Sequence, residues 1–143
     1  MRRMRPSELG LVLSLDSQLF SEGYACHDHP RTLWWVVTDG LEIVAYAGAE
    51  EWKIDDEHAL NLTRAGVLDA YRGRGLQRRL IRARVRYARK IGCQEVWTYT
   101  HWRNYPSANN LLRCGFSMWA PAVWGGCEVD FEPTSWLYWR RGL

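Results

Sequence analysis

No stretch of this sequence approaches the ~20 consecutive apolar residues that crossing a bilayer requires, and the basic start Met1-Arg2-Arg3-Met4-Arg5-Pro6 leads into no continuous apolar leader. A membrane partner is therefore not expected, and the expected location is cytoplasmic. Cysteine is sparse: Cys26, Cys93, Cys114 and Cys127 are the four present, and none stands in C-x-x-C spacing. That scatter argues against both a disulfide framework and a zinc site, so reduced thiols are expected. Cys26, His27, Asp28 and His29 do set potential ligands side by side. Adjacent residues rarely converge on one ion, however, and the reading is a polar loop with no metal. Repeats, low-complexity tracts and linkers are also missing. The most telling absence is of acid: no Asp or Glu falls from Ala70 to Gln94, where nine of the 19 Lys and Arg residues lie between Arg72 and Lys90. A segment so one-sided in charge calls for an anion beside it.

What is present has the size and balance of one enzyme-like domain over residues 1–143, a length that buries ~68% of the unfolded surface. Hydrophobic residues at 47% and charged residues at 24% match ordinary globular chains, which excludes disorder and fibrous repeats. After a Pro-Ser start, Leu9, Leu11, Val12, Leu13 and Leu15 are compatible with a helix over residues 6–15. Residues 33–38 are β-branched and aromatic, Asp39-Gly40 is a turn dipeptide, and residues 41–48 return as a second strand. Residues 59–67 read as a third strand, with Asn61, Thr63, Ala65 and Val67 on one face and Leu60, Leu62 and Arg64 on the other. Gly66 interrupts that strand, as at a bulge or a close approach. Leu76, Leu80, Ala83, Tyr87 and Ile91 recur at helical spacing over residues 75–91, and the other face of that helix is almost wholly arginine. A strand over 95–101, a short helix over 107–113 and closing strands at 116–119 and 135–139 complete the order. The result is a mixed α/β layer with antiparallel pairs first and a parallel crossover around the long helix.

The third strand joins the long helix through Arg72-Gly73-Arg74-Gly75-Leu76-Gln77. Such a glycine-rich turn leaves backbone N–H groups open at the positive end of the helix dipole, where phosphate binds. Gly73 and Gly75 let the backbone approach phosphate oxygens, and Arg72 and Arg74 add charge-assisted hydrogen bonds.

On these residues the chain resembles the GNAT superfamily of N-acetyltransferases, whose pyrophosphate loop reads Gln or Arg, two residues, Gly, one residue, then Gly or Ala. Arg72 to Leu76 follow that pattern, and Gln77 departs from it in the last place. The contact there is chiefly a backbone N–H, so the Gln77 side chain is expected to point away from the phosphates. The likeness continues through residues 88–92 to Asn104, Ser107, Ala108, Asn109 and Cys114-Gly115-Phe116. It implies a three-layer fold, a mixed, splayed sheet flanked by helices, in which the strands at 59–67 and 95–101 part to form a slot. It further implies acetyl-CoA as cosubstrate, with pantetheine paired to the backbone of Ala65, Gly66 and Val67. Arg72, Gly73, Arg74, Gly75, Leu76, Gln77 and Arg78 would hold the phosphates, and Asn104 and Asn109 would contact the pantetheine. The implied reaction is acetyl transfer to a primary amine by direct attack on the thioester.

That attack needs a neutral amine, whereas a lysine-like amine has a pKa of ~10.4. Asn61 and Thr63, on the strand face read as looking into the slot, are not bases at neutral pH. Glu50, Glu51 and His58 near the rim are the residues that could serve through water, or they solvate a hairpin; the acidic cluster of Glu50, Glu51, Asp55, Asp56 and Glu57 attracts a cationic substrate or solvates that hairpin. Many family members protonate the leaving thiolate from a Tyr whose register place here is Leu111. Tyr105, Ser107 or water takes that role, or none is needed. Of nine tryptophans, Trp34, Trp35 and Trp97 are read as core; Trp52, Trp102, Trp119 and Trp124, near strand ends, form an acceptor wall or pack a core or dimer interface. Two rival readings stand beside the enzyme. One is a non-catalytic acyl-CoA sensor of the same fold; the other is a nucleic-acid module using Arg78, Arg82, Arg86 and Arg89 as a phosphate-facing stripe.

Overall fold

Alternating β-branched and aromatic residues carry seven strands into one sheet. The structure, a computed structural model, describes residues 1–20, 31–54, 57–119, 123–124, 127–128 and 136–143. Cys26 to His29, Asp55, Asp56, Ser135 and the Trp124 side chain lie outside the described residues. The strands are β1 (Arg2–Arg3), β2 (Leu33–Asp39), β3 (Glu42–Ile54), β4 (Glu57–Val67), β5 (Glu95–His101), β6 (Ser117–Trp119), β7 (Val123–Trp124), β8 (Cys127–Glu128) and β9 (Trp136–Gly142). The helices are α1 (Leu9–Leu19), α2 (Leu76–Lys90) and α3 (Tyr105–Leu112). A seven-stranded sheet runs β1-β2-β3-β4-β5-β9-β6, and β7 and β8 pair separately. Among the described strands only β4 and β5 pair in parallel, joined by the α2 crossover. The helix read over residues 6–15 is a short turn at Pro6–Glu8 followed by α1, which continues to Leu19. Among the described residues no helix is long and apolar enough to cross a membrane.

The sheet has apolar residues on both faces, and consecutive tryptophans show why. Trp34 belongs to a cluster with Val12 and Leu15 of α1, Ile43 and Tyr46, whereas Trp35 belongs to the cluster under α2 with Leu60, Leu80 and Ile81. Side chains alternate across a strand, so adjacent residues feed opposite layers. Leu80 and Ile81 are 0% and 2% exposed, and each contributes about 1.5–3 kcal/mol by leaving water. The α1 start is held by Glu8, whose carboxylate accepts from the Arg2 guanidinium and the Arg5 backbone N–H. Those two contacts, Arg2 first, hold its pKa down at about 2.

The face assignment for β4 needs correction. Ala49 pairs with Leu62 but Ala47 with Ala65, so Gly48 alone stands opposite Thr63 and Arg64. This bulge flips the alternation. Ala65 and Val67 consequently pack with Leu60 and Leu62 under α2, while Arg64 turns to α1. Gly66 is not the bulge but a close approach: a Cβ there would stand 2.5 Å from Tyr46 Cε1 and 2.7 Å from Leu19 Cδ1. Gly66→Ala should therefore destabilise by about 1–3 kcal/mol through overpacking. Gly10→Ala, on the exposed side of α1 with nothing within 4 Å of the added Cβ, should instead stabilise by about 0.5–1 kcal/mol. Urea midpoints at unchanged m-value check both signs.

Candidate active site

The turn after β4 begins with a helical turn at Asp69–Tyr71, pinned by Tyr71 Oη donating to Asp39 Oδ2 at 2.8 Å. Gly73 and Gly75 follow at φ 75° and 71°, a region that only glycine enters freely. No side chain caps α2, and its first hydrogen bond runs from Arg79 N to Gly75 O. The N–H groups of Leu76, Gln77 and Arg78 thus stay open at the positive helix end, a ready-made anion site. Around it Arg72 pairs with Asp69 at 2.8 Å and Arg74 lies over the Tyr71 ring. Arg78 folds back toward Gly75 instead of joining a solvent stripe, so its place in a row with Arg82, Arg86 and Arg89 is corrected. Those three arginines are exposed, as are Arg79 and Lys90.

From this turn a cavity of about 460 Å³ descends between the end of β4, at 65–67, and Gln77, Arg78, Asn104 and Asn110. Arg74 and Asn109 take no part in its wall. A second cavity of about 410 Å³ lies where β4 and β5 separate, and the two share Phe20, Ala65, Gln77 and Asn104. Pairing between β4 and β5 extends only through Ala59, Leu60 and Asn61. One residue later Thr98 Oγ1 donates to Leu62 O at 2.7 Å, a side chain reaching where the strand no longer does. Beyond it the β4 edge has no strand partner on that side among the described residues.

Gln77 does not point away from this path. Its amide donates to Ser107 Oγ at 3.1 Å and accepts from Asn110 Nδ2 at 2.9 Å, clasping α2 to α3 at the junction of the cavities. Asn104 caps α3, its Oδ1 accepting from Ser107 N. The helical phase puts Asn110 inward and leaves Asn109 exposed, so the asparagine on the cavity wall is the one after that read from sequence. Leu111 is buried and lines the second cavity, with no proton to give.

The acid–base residues read from sequence lie elsewhere. Glu50 accepts from Thr32 Oγ1 at 2.8 Å, and Glu51 accepts from Tyr87 Oη at 3.0 Å and stands 3.7 Å from His58 Nε2. All three sit toward the β3–β4 hairpin, at the end of β4 away from the phosphate turn, and line neither cavity. Tyr105 is 63% exposed and lines neither. The imidazole that does line the second cavity is His101, at the end of β5. Its ring meets Trp136 edge-on and stacks on Trp102, and its Nδ1 accepts from Arg103 N at 3.2 Å. Period-two reading of β5 groups His101 with Trp97 and Tyr99, but only the sheet order shows that this end borders the gap. Of the four tryptophans read as a wall, Trp52 packs on Trp97 and Trp119 lies beneath Arg140; the tryptophan lining the cavity is Trp136.

The same cavity holds a buried cation. Arg84 is 2% exposed on the inner face of α2, where arginine was not expected, with Nε donating to Leu80 O at 3.2 Å and Nη1 to Gly48 O at 2.8 Å. No carboxylate pairs with it among the described residues. Desolvation lowers its pKa to about 9, which leaves it charged at neutral pH.

The acetyltransferase (GNAT) family model matches residues 5–116. The chain belongs to the GNAT acetyltransferase family. No curated protein matches it, but solved structures share its fold. Arabidopsis thaliana NAA60 in complex with acetyl-CoA is 18% identical with a TM-score of 0.75, over 99% of this chain and 97% of that one. Arabidopsis thaliana Naa50 in complex with the bisubstrate analogue CoA-Ac-MVNAL is 16% identical at TM-score 0.77, over 98% and 95%. The Escherichia coli ribosomal-protein-S18-alanine N-acetyltransferase is 15% identical at TM-score 0.75, over 98% and 90%.

Within this GNAT fold one ion pair sets the gap's outer wall. Asp16, 1% exposed on α1, accepts from Arg64 Nε at 2.8 Å and Nη2 at 3.2 Å, and from the Tyr46 hydroxyl. Arg64 in turn stacks 4.1 Å from the Phe20 centroid, and Phe20 lines both cavities. Removing one partner of a buried pair strands the other charge. Asp16→Ala should lose about 3–5 kcal/mol, and Tyr46→Phe, which removes a single hydrogen bond, about 1–3 kcal/mol. Chemical denaturation of the two variants beside the natural chain measures the difference.

Proposed function

We propose that the protein transfers an acetyl group from acetyl-CoA to a primary amine by direct attack on the thioester. The observation that carries this reading is the continuous path from the open N–H groups of α2, past Gln77 and Asn104, to the gap between β4 and β5. The pyrophosphate takes the turn of Arg72, Gly73, Gly75 and Leu76, with Gln77 and Arg78 beside it. Pantetheine runs along the edge of 65–67 that faces β5, exchanging strand-like hydrogen bonds on the side that no described strand pairs, while β3 holds the other side. Backbone N–H groups at the Thr63–Arg64 bulge then face the thioester carbonyl, where negative charge develops.

The amine enters at the outer wall of Phe20, Tyr99, His101 and Trp136. Its nitrogen attacks the carbonyl carbon, a C–N bond forms, the C–S bond breaks, and the amine loses a proton. His101 takes that proton, since imidazole is the one side-chain type on the wall that exchanges protons near neutral pH. With Nδ1 accepting from Arg103, the neutral ring carries its hydrogen on Nε2; the base is the other tautomer, and the 3.2 Å contact it gives up costs little. The thiolate leaves without a dedicated acid, because Leu111 has none to offer and a thiol of pKa ~8.5 is an adequate leaving group.

Two outcomes are expected. Saturating acetyl-CoA, at about a hundred times its dissociation constant, adds ~2.7 kcal/mol and raises the thermal midpoint by several degrees. Gly75→Asp, which sets a carboxylate among the open N–H groups, abolishes the rise measured from its own baseline. Secondly, His101→Ala lowers kcat/KM for thiol release with amines by about 10²–10⁴-fold and leaves the acetyl-CoA shift intact. A cofactor shift without turnover on any of a broad amine panel would instead indicate the sensor.

A further inference from the structure

Arg84 is the buried charge that the transfer chemistry leaves unused. The rest of the inner face of α2 is apolar: Leu76, Leu80, Ile81, Ala83, Val85 and Ala88 are all buried. A charged guanidinium in that row gives up its hydration for two backbone carbonyls, which are neutral acceptors, and gains no counter-ion among the described residues. Of its five N–H groups, Nε and Nη1 each use one, and the described residues supply no acceptor for Nη2. Nη2 is also not among the sealed, unpartnered polar atoms, and Arg84 lines the cavity at the gap, so that donor reaches the cavity. Thr63, which borders the same cavity from the opposite face of the sheet, has a buried Oγ1 with no partner among the described residues.

Position decides which substrate meets this cation. Arg84 stands seven residues after Gln77 on α2, two turns along the same helix face, and Gln77 marks the junction of the cavities. A donor arm following α2 from the phosphate turn therefore brings its acyl end to Arg84. The amine comes from the opposite wall, past Phe20, His101 and Trp136. The Arg84 guanidinium bonds Gly48 O, opposite the bulge where the thioester carbonyl lies, so a group meeting it sits just beyond that carbonyl.

We infer that Arg84 receives a carboxylate at the far end of the acyl group, so that the site selects thioesters of short dicarboxylic acids, of the malonyl or succinyl kind. This rests on the acyl-transfer reading above and narrows its donor. The carboxylate takes no part in bond making: the amine nitrogen bonds to the thioester carbon, the C–S bond breaks, the amine's proton goes to the base, and the terminal carboxylate stays on Arg84. A planar guanidinium matches a carboxylate with two parallel hydrogen bonds, which a neutral acyl chain cannot use.

Calorimetric titration of the full chain with succinyl-CoA and with pentanoyl-CoA, its neutral counterpart of similar length, tests the inference. The natural protein should bind succinyl-CoA at least tenfold more tightly. In Arg84→Met, which replaces the cation by an apolar chain, the ratio should fall to one or below. The ratio in the natural chain decides the matter even if that variant fails to fold. A ratio of one or less there, with acetyl-CoA bound and turned over, would overturn the inference and leave the proposed function standing. Failure of every thioester to bind would remove both.

Discussion

One extra residue in β4 organises this molecule. Gly48 faces both Thr63 and Arg64 across the β3–β4 ladder, and four features follow from that mismatch. Side-chain alternation reverses, so Leu60 and Leu62 before the bulge and Ala65 and Val67 after it all face α2. Arg64, turned the other way, is delivered to Asp16. Gly48 O, set opposite the irregularity, is taken by Arg84. Lastly, β4 stops pairing with β5 two residues before the bulge. Gly48 itself has no room to vary, since a Cβ there would lie 2.5 Å from Thr63 Oγ1. A bulge increases local twist, and in a parallel pair that has no later anchor the twist appears as a gap.

The order of elements and the phosphate turn were legible because each rests on local periodicity. The crossover helix, the strand at 95–101 and the glycine-arginine turn need only neighbours within a few residues to declare themselves. What was not legible depends on phase. A one-residue bulge leaves no mark in composition, so Ala65 and Val67 were grouped with Asn61 and Thr63, and Gly66 was given the bulge that Gly48 faces. Asn109 and Asn110 are adjacent, and a rotation of 100° per residue decides which one reaches the cavity. Arg84 was hidden among eight neighbouring cations, since nothing local distinguishes a buried arginine from a solvated one. Glu50, Glu51 and His58 read as base candidates because acids cluster near them in sequence, although β3 and β4 carry these three to the paired end of the sheet, away from both cavities.

The two buried charges on either side of the bulge behave in opposite ways. Asp16 is 1% exposed and fully answered by a guanidinium and a phenol, and it fixes α1, with Phe20 at its end, over the gap. Arg84 is 2% exposed and, among the described residues, answered only by carbonyl dipoles. Taking an ion out of water costs several kcal/mol even after relaxation, while a hydrogen bond to a charged group returns about 1.5–3 kcal/mol. The bonds to Leu80 O and Gly48 O therefore offset most of that cost without neutralising the charge. The outer wall is built closed, and the inner wall keeps a surplus of positive field inside the cavity.

A sheet is ordinarily a barrier between its two faces, because a filled ladder leaves no passage for side chains or substrate. Here α2 and α3 with the phosphate turn occupy one face, and α1 occupies the other with Tyr99 of β5 and Trp136 of β9. Two substrates arriving from opposite faces can react only where the ladder is open, which confines the chemistry to the segment of β4 between Leu62 and Ala65. That confinement explains why so few residues touch both cavities. Phe20, Ala65, Gln77 and Asn104 are the four, and they come from the end of α1, the free edge of β4, the start of α2 and the cap of α3. On the proposed mechanism a base must also stand at a strand end beside the gap, as His101 does, because a residue at the paired end of β4 would be separated from the donor's thioester by an intact ladder.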